Sequence, residues 1–218
     1  IQAFKVEAAV SRAEVATGVI LGQKKVPTYL VEASTRFLTL DWRAEATYAY
    51  GDNAQRIDVN SFNIFNPVIY QLRDQHVFKG VLSFGRSFEV LDVADRLTVN
   101  VEYFYNGAGY SDNVFAQNAA VKAYFVQNGL YRPNYYGQHY VGLFTTFARF
   151  IFTELTLGLN GFGNLSDKTM VLSQLFTYNP LFNFTLTWQN NVFTGASMGE
   201  YMLSGLGWYS EVSARVIF

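Results

Sequence analysis

Two histidines, His76 and His139, are the chain's general-base candidates, because imidazole titrates nearest neutral pH. Asp74 and Ser83 lie close to His76 and are the residue types of an orienter and a nucleophile. Their spacing ties them into no nucleophile–base–orienter set. A histidine beside Phe78 or Tyr140 is more often an interfacial residue than a catalyst. Asp52, Asp58, Asp74, Asp112 and Asp167 carry oxygen ligands that calcium accepts, yet they lack the EF-hand spacing, and Asp is common in loops for its turn chemistry. With no cysteine, thiolate metal sites and disulfides drop out. Gly107 and Gly109 read as a strand exit rather than a phosphate cradle, since no strand–glycine–helix pattern surrounds them.

The charged residues are more informative, because they recur at every second position. Between Leu38 and Tyr50, Thr39, Asp41, Arg43, Glu45 and Thr47 alternate with Leu38, Leu40, Trp42, Ala44, Ala46, Tyr48 and Tyr50. A strand sends successive side chains to opposite faces, whereas a helix would scatter these groups around its circumference. Leu97, Val99, Val101, Tyr103 and Tyr105 likewise oppose Thr98, Asn100 and Glu102. Phe182, Phe184, Leu186, Trp188 and Val192 oppose Asn183, Thr185, Thr187, Gln189 and Asn191. Val212, Ala214, Val216 and Phe218 oppose Glu211, Ser213 and Arg215. Weaker alternation runs through Phe4–Val10, Ala13–Leu21, Phe78–Phe84 and Leu155–Leu159. Tyr140–Phe150 and Met170–Tyr178 read as strands of undecided face. Pro27 falls at a strand start, Pro67 and Pro133 in polar stretches, and Asn179-Pro180 reads as a tight turn.

Half of the 218 residues are hydrophobic, 17% are aromatic and only 15% are charged, against about 25% in an ordinary soluble domain. A formal net charge of -1 excludes the basic footprint of a nucleic-acid binder. No run of about 18 apolar residues is present for a membrane-crossing helix. A membrane protein of this composition must therefore cross as a closed barrel, where every backbone group finds a partner on a neighbouring strand. The chain starts at Ile1 without a signal peptide, which reads as a processed chain or a piece of a longer one.

A soluble sandwich or lipocalin-like barrel would also alternate, with its apolar face turned inward. Several segments here are longer than the ~5–6 residues usual in soluble sheets. Tyr48, Tyr50, Tyr103, Tyr105, Tyr178, Trp208 and Tyr209 gather at segment ends, as in the aromatic girdles of membrane barrels. The expected fold is all-β: one transmembrane antiparallel up-and-down barrel over 1–218, with about 10–12 strands, or the C-terminal part of a larger barrel. Long loops are expected at about 51–76 and 106–139. Within them, Asn66-Pro67 reads as a helix start leading into Val68–Asp74. Val114, Ala120, Val121, Tyr124 and Phe125 also have helical spacing.

The last segment, Trp208 to Phe218, resembles the terminal strand of bacterial outer-membrane β-barrel proteins, which ends in an aromatic residue preceded by apolar residues at alternate positions. Tyr178–Trp188 and Gly195–Glu200 look like porin-like barrels in general, and no motif names a subfamily. The resemblance implies the outer membrane as location, and the lipid bilayer and lipopolysaccharide as surroundings. It also implies that Val212, Ala214, Val216 and Phe218 form the signal read by the barrel-assembly machinery. With Phe218 at the periplasmic end, the turns near Asn179-Pro180, Phe150–Thr153 and Leu91–Asp95 become short periplasmic turns. The loops Gly51–His76, Asn106–His139, Gly163–Lys168 and Thr194–Gly205 then face outside.

The lumen of such a barrel would carry Asp41, Arg43, Glu45, Lys79, Glu102, Arg149, Glu211 and Arg215, together with Lys5, Glu7 and Glu154. Mixed charge there either lines a water-filled pore or forms an ion-pair network closing a narrow barrel. The leading expectation is a porin-like passive channel for small polar solutes, with no catalytic residue, cofactor or metal. The alternatives are a structural, adhesion or assembly-partner barrel with a closed lumen, and an outer-membrane hydrolase or acyltransferase using a rim histidine. A homo-oligomer, or assembly with other outer-membrane proteins, fits either non-enzymatic reading.

Overall fold

Residues rich in Val, Ile, Thr, Tyr and Phe, alternating with polar ones, form extended strands wherever neighbours satisfy their backbone groups. In a computed structural model, which describes residues 1–128 and 134–217, they do so in sequence order. The strands are β1 (Gln2–Val10), β2 (Ala13–Leu21), β3 (Thr28–Phe37), β4 (Leu40–Tyr50), β5 (Gln55–Ile57), β6 (Ile69–Gln71), β7 (His76–Val90) and β8 (Val93–Asn106). After two short helices, α1 (Val114–Gln117) and α2 (Ala119–Gln127), come β9 (His139–Phe147), β10 (Leu155–Asn164), β11 (Thr169–Leu181), β12 (Phe184–Gly195) and β13 (Trp208–Val216). Eleven of them make one antiparallel sheet in the order β1-β2-β3-β4-β7-β8-β9-β10-β11-β12-β13, while β5 and β6 pair separately inside a loop.

The sheet is an up-and-down meander, and β1 and β13 are its two edges. Both edge strands run from the long-loop end to the short-turn end. Joining them directly would make a parallel pair, so the antiparallel pattern cannot simply continue around a ring of these strands. The loops are asymmetric. One end has the tight connections Ser11-Arg12, Leu38-Thr39, Leu91-Asp92 and Phe182-Asn183, and the other carries the segments 51–75, 107–138 and 196–207.

Direct pairing across the ladder assigns every side chain to a face. One face carries Phe4, Val6, Val31, Trp42, Leu82, Val101, Leu143, Leu172, Trp188 and Val212. The other carries Glu7, Glu32, Glu45, Arg43, Ser83, Glu102, Asn160, Ser173, Gln189 and Glu211. Large apolar side chains stay open on the first face: Phe4 is 60% exposed, Val31 52% and Val212 65%. The sheet thus has no hydrophobic core of its own on that side, contrary to a sandwich. The apolar face is interrupted at Gln174, Asn190 and Ser210, whose polar groups bond to one another or to the Trp188 indole.

Several sequence expectations change. Leu38 and Thr39 are not strand residues but the two central positions of a hairpin turn, with φ of 49° and 64°. The type I′ hairpin turn needs positive φ at both positions, and here neither is Gly or Asn, so alternation ran unbroken through the turn. Asn179-Pro180 is not the turn either. It sits where the β11–β12 register shifts between Tyr178 and Leu181, a bulge that tolerates a missing N–H, and the chain reverses at Phe182-Asn183. Pro67 starts no helix over Val68–Asp74, because Ile69–Gln71 instead pairs with Gln55–Ile57. The helical spacing beyond Val114 does give α1 and α2, capped by the Asn113 and Asn118 side chains. Pro133 and the terminal Phe218 lie outside the described residues.

Candidate functional site

The polar face of the sheet is a trough. Lys5 pairs with Glu7 at 2.8 Å and with Glu32 at 2.7 Å, Arg43 with Glu45 at 2.6 Å, and Arg36 with Asp41 at 3.3 Å. These side chains keep between 31% and 69% exposure, so water screens each pair and the row is a solvated lining rather than a clamp. Two adjoining depressions follow them, about 520 Å³ around Lys5, Glu14, Glu32 and Arg43, and about 540 Å³ around Arg12, Arg36, Asp41, Ser83, Asn100 and Glu102. Both signs of charge are interleaved along the whole length.

Most of the charged residues expected on this face are there: Lys5, Glu7, Asp41, Arg43, Glu45, Lys79, Glu102, Glu211 and Arg215. Arg149 and Glu154 are not. Both lie in the connection between β9 and β10, where Arg149 has φ 54° and its carbonyl accepts a 2.6 Å bond from the Arg96 guanidinium. Tyr209 is also misassigned by the girdle expectation. It pairs with Asn191 on the polar face and donates its hydroxyl to Glu211. Val212, Ala214 and Val216 share the apolar face of β13.

The trough is not polar throughout. Near the loop end, Phe104, Tyr140 and Phe162 stack on it, with centroids 5.8 Å and 5.7 Å apart, and Tyr201 meets Phe162 edge-on. Above this platform the long loops fold into a cap with the largest buried core among the described residues, formed by Ile57, Val114, Phe115, Val121, Phe125 and Tyr136. Arg56 lies 4.2 Å over the Tyr110 ring, and Lys79 reaches from β7 to Asp52 in the cap at 2.5 Å.

One carboxylate pins the cap to the sheet. Glu200, 2% exposed, sits in a 3-10 turn (Glu200–Met202). It accepts bonds from the Tyr140 hydroxyl at 2.8 Å, the Asn164 amide at 2.9 Å and the Asn134 backbone N–H at 2.7 Å. Its own N–H donates to Asp167 at 2.6 Å, and Asp167 also accepts from the Thr169 hydroxyl. Burial, the largest cause, together with the nearby Asp167 charge, pushes the Glu200 carboxyl up to about 7, against the pull of the three donors. Three loops therefore meet on one acid. Sequence reading missed it because its partners stand up to 66 positions away and no local pattern marks them. Gly137 is part of the same fit: a Cβ there would lie 2.3 Å from the Asn164 amide oxygen. Gly137→Ala is expected to loosen the cap while leaving strand content unchanged, which limited proteolysis of the loops against far-UV circular dichroism will read.

The histidine set does not assemble. His76 and His139 point to the apolar face beside Tyr48 and Tyr103, at 2.6 Å and 2.7 Å from their hydroxyls, while Ser83 faces the trough and Asp74 lies in the loop before β7. The aspartates do turn work: Asp58 accepts from Ser61 and Asn60, and Asp167 from Thr169. Comparison with known proteins finds no matching family model, no matching curated protein and no matching solved structure.

Proposed function

We propose that this sheet is the wall of a closed β-barrel in a bacterial outer membrane and that its polar trough passes small polar solutes. The carrying observation is the inverted two-faced sheet: apolar, aromatic-rimmed and uncovered outside, with solvated charges of both signs inside. Water on the apolar face would expose far more contiguous hydrophobic surface than soluble monomers tolerate, and hydrocarbon removes that penalty. Short turns at one end and long loops at the other match the asymmetry of this architecture. Since β1 and β13 run the same way, an all-antiparallel ring needs an odd number of further strands between them, and direct contact gives a parallel seam.

A second reading is favoured by the cap. Its buried core and the Glu200 pin give the loops a fixed packing over the aromatic platform, as in a barrel whose mouth is occluded and whose outer loops meet a partner.

Single-channel recording in a planar bilayer separates the two. The channel reading expects steady conductance with weak ion selectivity, because neither sign dominates the trough. Glu102→Lys, which faces the 540 Å³ depression, is expected to shift selectivity toward anions. A folded, inserted protein that stays electrically silent moves the conclusion to the occluded barrel.

A further inference from the structure

The three long connections all fold over the trough side of the sheet. Lys79 of β7 pairs with Asp52, and the Asn106 amide of β8 donates to the Tyr135 and Gly137 carbonyls. The connection between β12 and β13 leans across its neighbours. Its Tyr201 N–H reaches the Thr169 hydroxyl of β11, and Glu200 reaches Asn164 of β10 and Tyr140 of β9. These seats all lie in the trough-facing rows. The cap therefore sits over the mouth of the trough at its long-loop end.

Segment 196–207 is the lightly held part of that cap. The buried core comes from the other two connections, and this segment lays Met198 and Leu203 against its edge. Its polar attachment gathers at one point: the Glu200 carboxyl with its three donors, the Glu200 N–H on Asp167, and the Tyr201 hydroxyl on the Asn134 side chain. Gly195 and Gly205 flank that point with φ of 125° and 72°, conformations that glycine enters and leaves at little cost. The ionisable groups around the Glu200 carboxyl are Asp167 from the β10–β11 connection, the Tyr140 phenol from β9 and the Tyr201 phenol of its own turn. Lys168, next to Asp167, is exposed, and among the described residues no cation pairs with Glu200. An ionised Glu200 is thus opposed by burial and by Asp167. A protonated one keeps its place, with the Tyr140 hydroxyl turning from donor to acceptor.

We propose that segment 196–207 is a gate on the trough, shut while Glu200 is protonated and released when Glu200 ionises, so that conduction rises with pH. This deepens the channel reading above and rests on it. The carboxyl titrates near 4.5 when free and at about 7 in the closed cap, so the closed state keeps a proton that the open state has lost, and its advantage fades as pH climbs through that interval.

Single-channel recording of the full chain across that pH range reads the gate. The open-to-closed ratio is expected to rise about 70-fold from about pH 5 to about pH 8 and to level off above. Glu200→Gln keeps the acceptor without the charge and should stay shut to the same degree at every pH. Glu200→Ala should stay open even in acid. His76 and His139 titrate in the same range, so Glu200→Gln also tells which group is the source. If the variants misfold, a fluorophore on Ser197→Cys, the sole cysteine of that chain, follows the segment with Glu200 intact, and a signal that ignores pH overturns the gate. Equal conductance across the range, or a pH response that survives in Glu200→Gln, overturns the gate and leaves the channel standing. A folded, inserted protein that is silent at every pH overturns the channel reading and the gate with it.

Discussion

Val101→Arg is expected to cost about 2–4 kcal/mol of folding stability in lipid, while Asn100→Arg, one residue earlier, costs close to nothing. The two positions are neighbours in β8 with opposite outlooks. Val101 pairs with Phe84 and Leu143 on the apolar face and is 41% exposed; Asn100 pairs with Gly85 and Phe144 on the trough side. A guanidinium pointing into hydrocarbon must be desolvated or must thin the bilayer around it, whereas one in the trough stays wet. Urea titration of the protein folded into lipid vesicles measures both. Were the apolar face bathed in water, Val101→Arg would be the harmless one, an exposed surface change worth under about 0.5 kcal/mol. A tolerated Val101→Arg therefore sinks the membrane reading, whatever the conductance experiment gives.

Glu200→Ala is expected to release the cap. Removing the carboxylate leaves the Tyr140 hydroxyl, the Asn164 amide and the Asn134 N–H without their acceptor in a buried site, a loss of about 3 kcal/mol. Hydrogen exchange of the segment 196–203 should then speed up by about 100-fold while the strands keep their protection. The acid also gives the cap a pH dependence of definite sign. Its carboxyl titrates near 4.5 when free and near 7 in the folded cap, so between those values the folded cap holds a proton that the opened one has lost. Cap stability therefore falls as pH rises from about 4.5 through 7 and is flat above, by up to roughly 3 kcal/mol. Glu200→Gln keeps a neutral acceptor for Tyr140 and Asn164 and should flatten that profile. Exchange that slows with rising pH, after correction for intrinsic rates, or an unchanged profile in Glu200→Gln, refutes the assignment.

Much of the wall was legible in the chain because a strand carries its own code. Side-chain direction alternates with period two, so Leu97–Tyr105 or Phe184–Val192 declare their faces without reference to any partner. The charged rows Asp41, Arg43, Glu45 and Glu211, Arg215 followed from that alone. The code fails where φ changes sign without a glycine, as at Leu38-Thr39, and where a bulge absorbs a proline, as at Asn179-Pro180. Both are decided by the twist and register of the partner strand, which no single segment records. Arg149 failed for a related reason: the strand ended at Phe147, before the alternation was assumed to stop.

By itself the sequence determined that this protein is a series of antiparallel strands with one apolar and one polar face, a long-loop end and a short-turn end. Tertiary structure alone decided that the loops fold into a cap and that Glu200 joins Tyr140, Asn164 and Asn134. The physical reason is range. Facial alternation is a local property of the backbone, whereas a buried hydrogen-bond network depends on which distant residues are brought side by side.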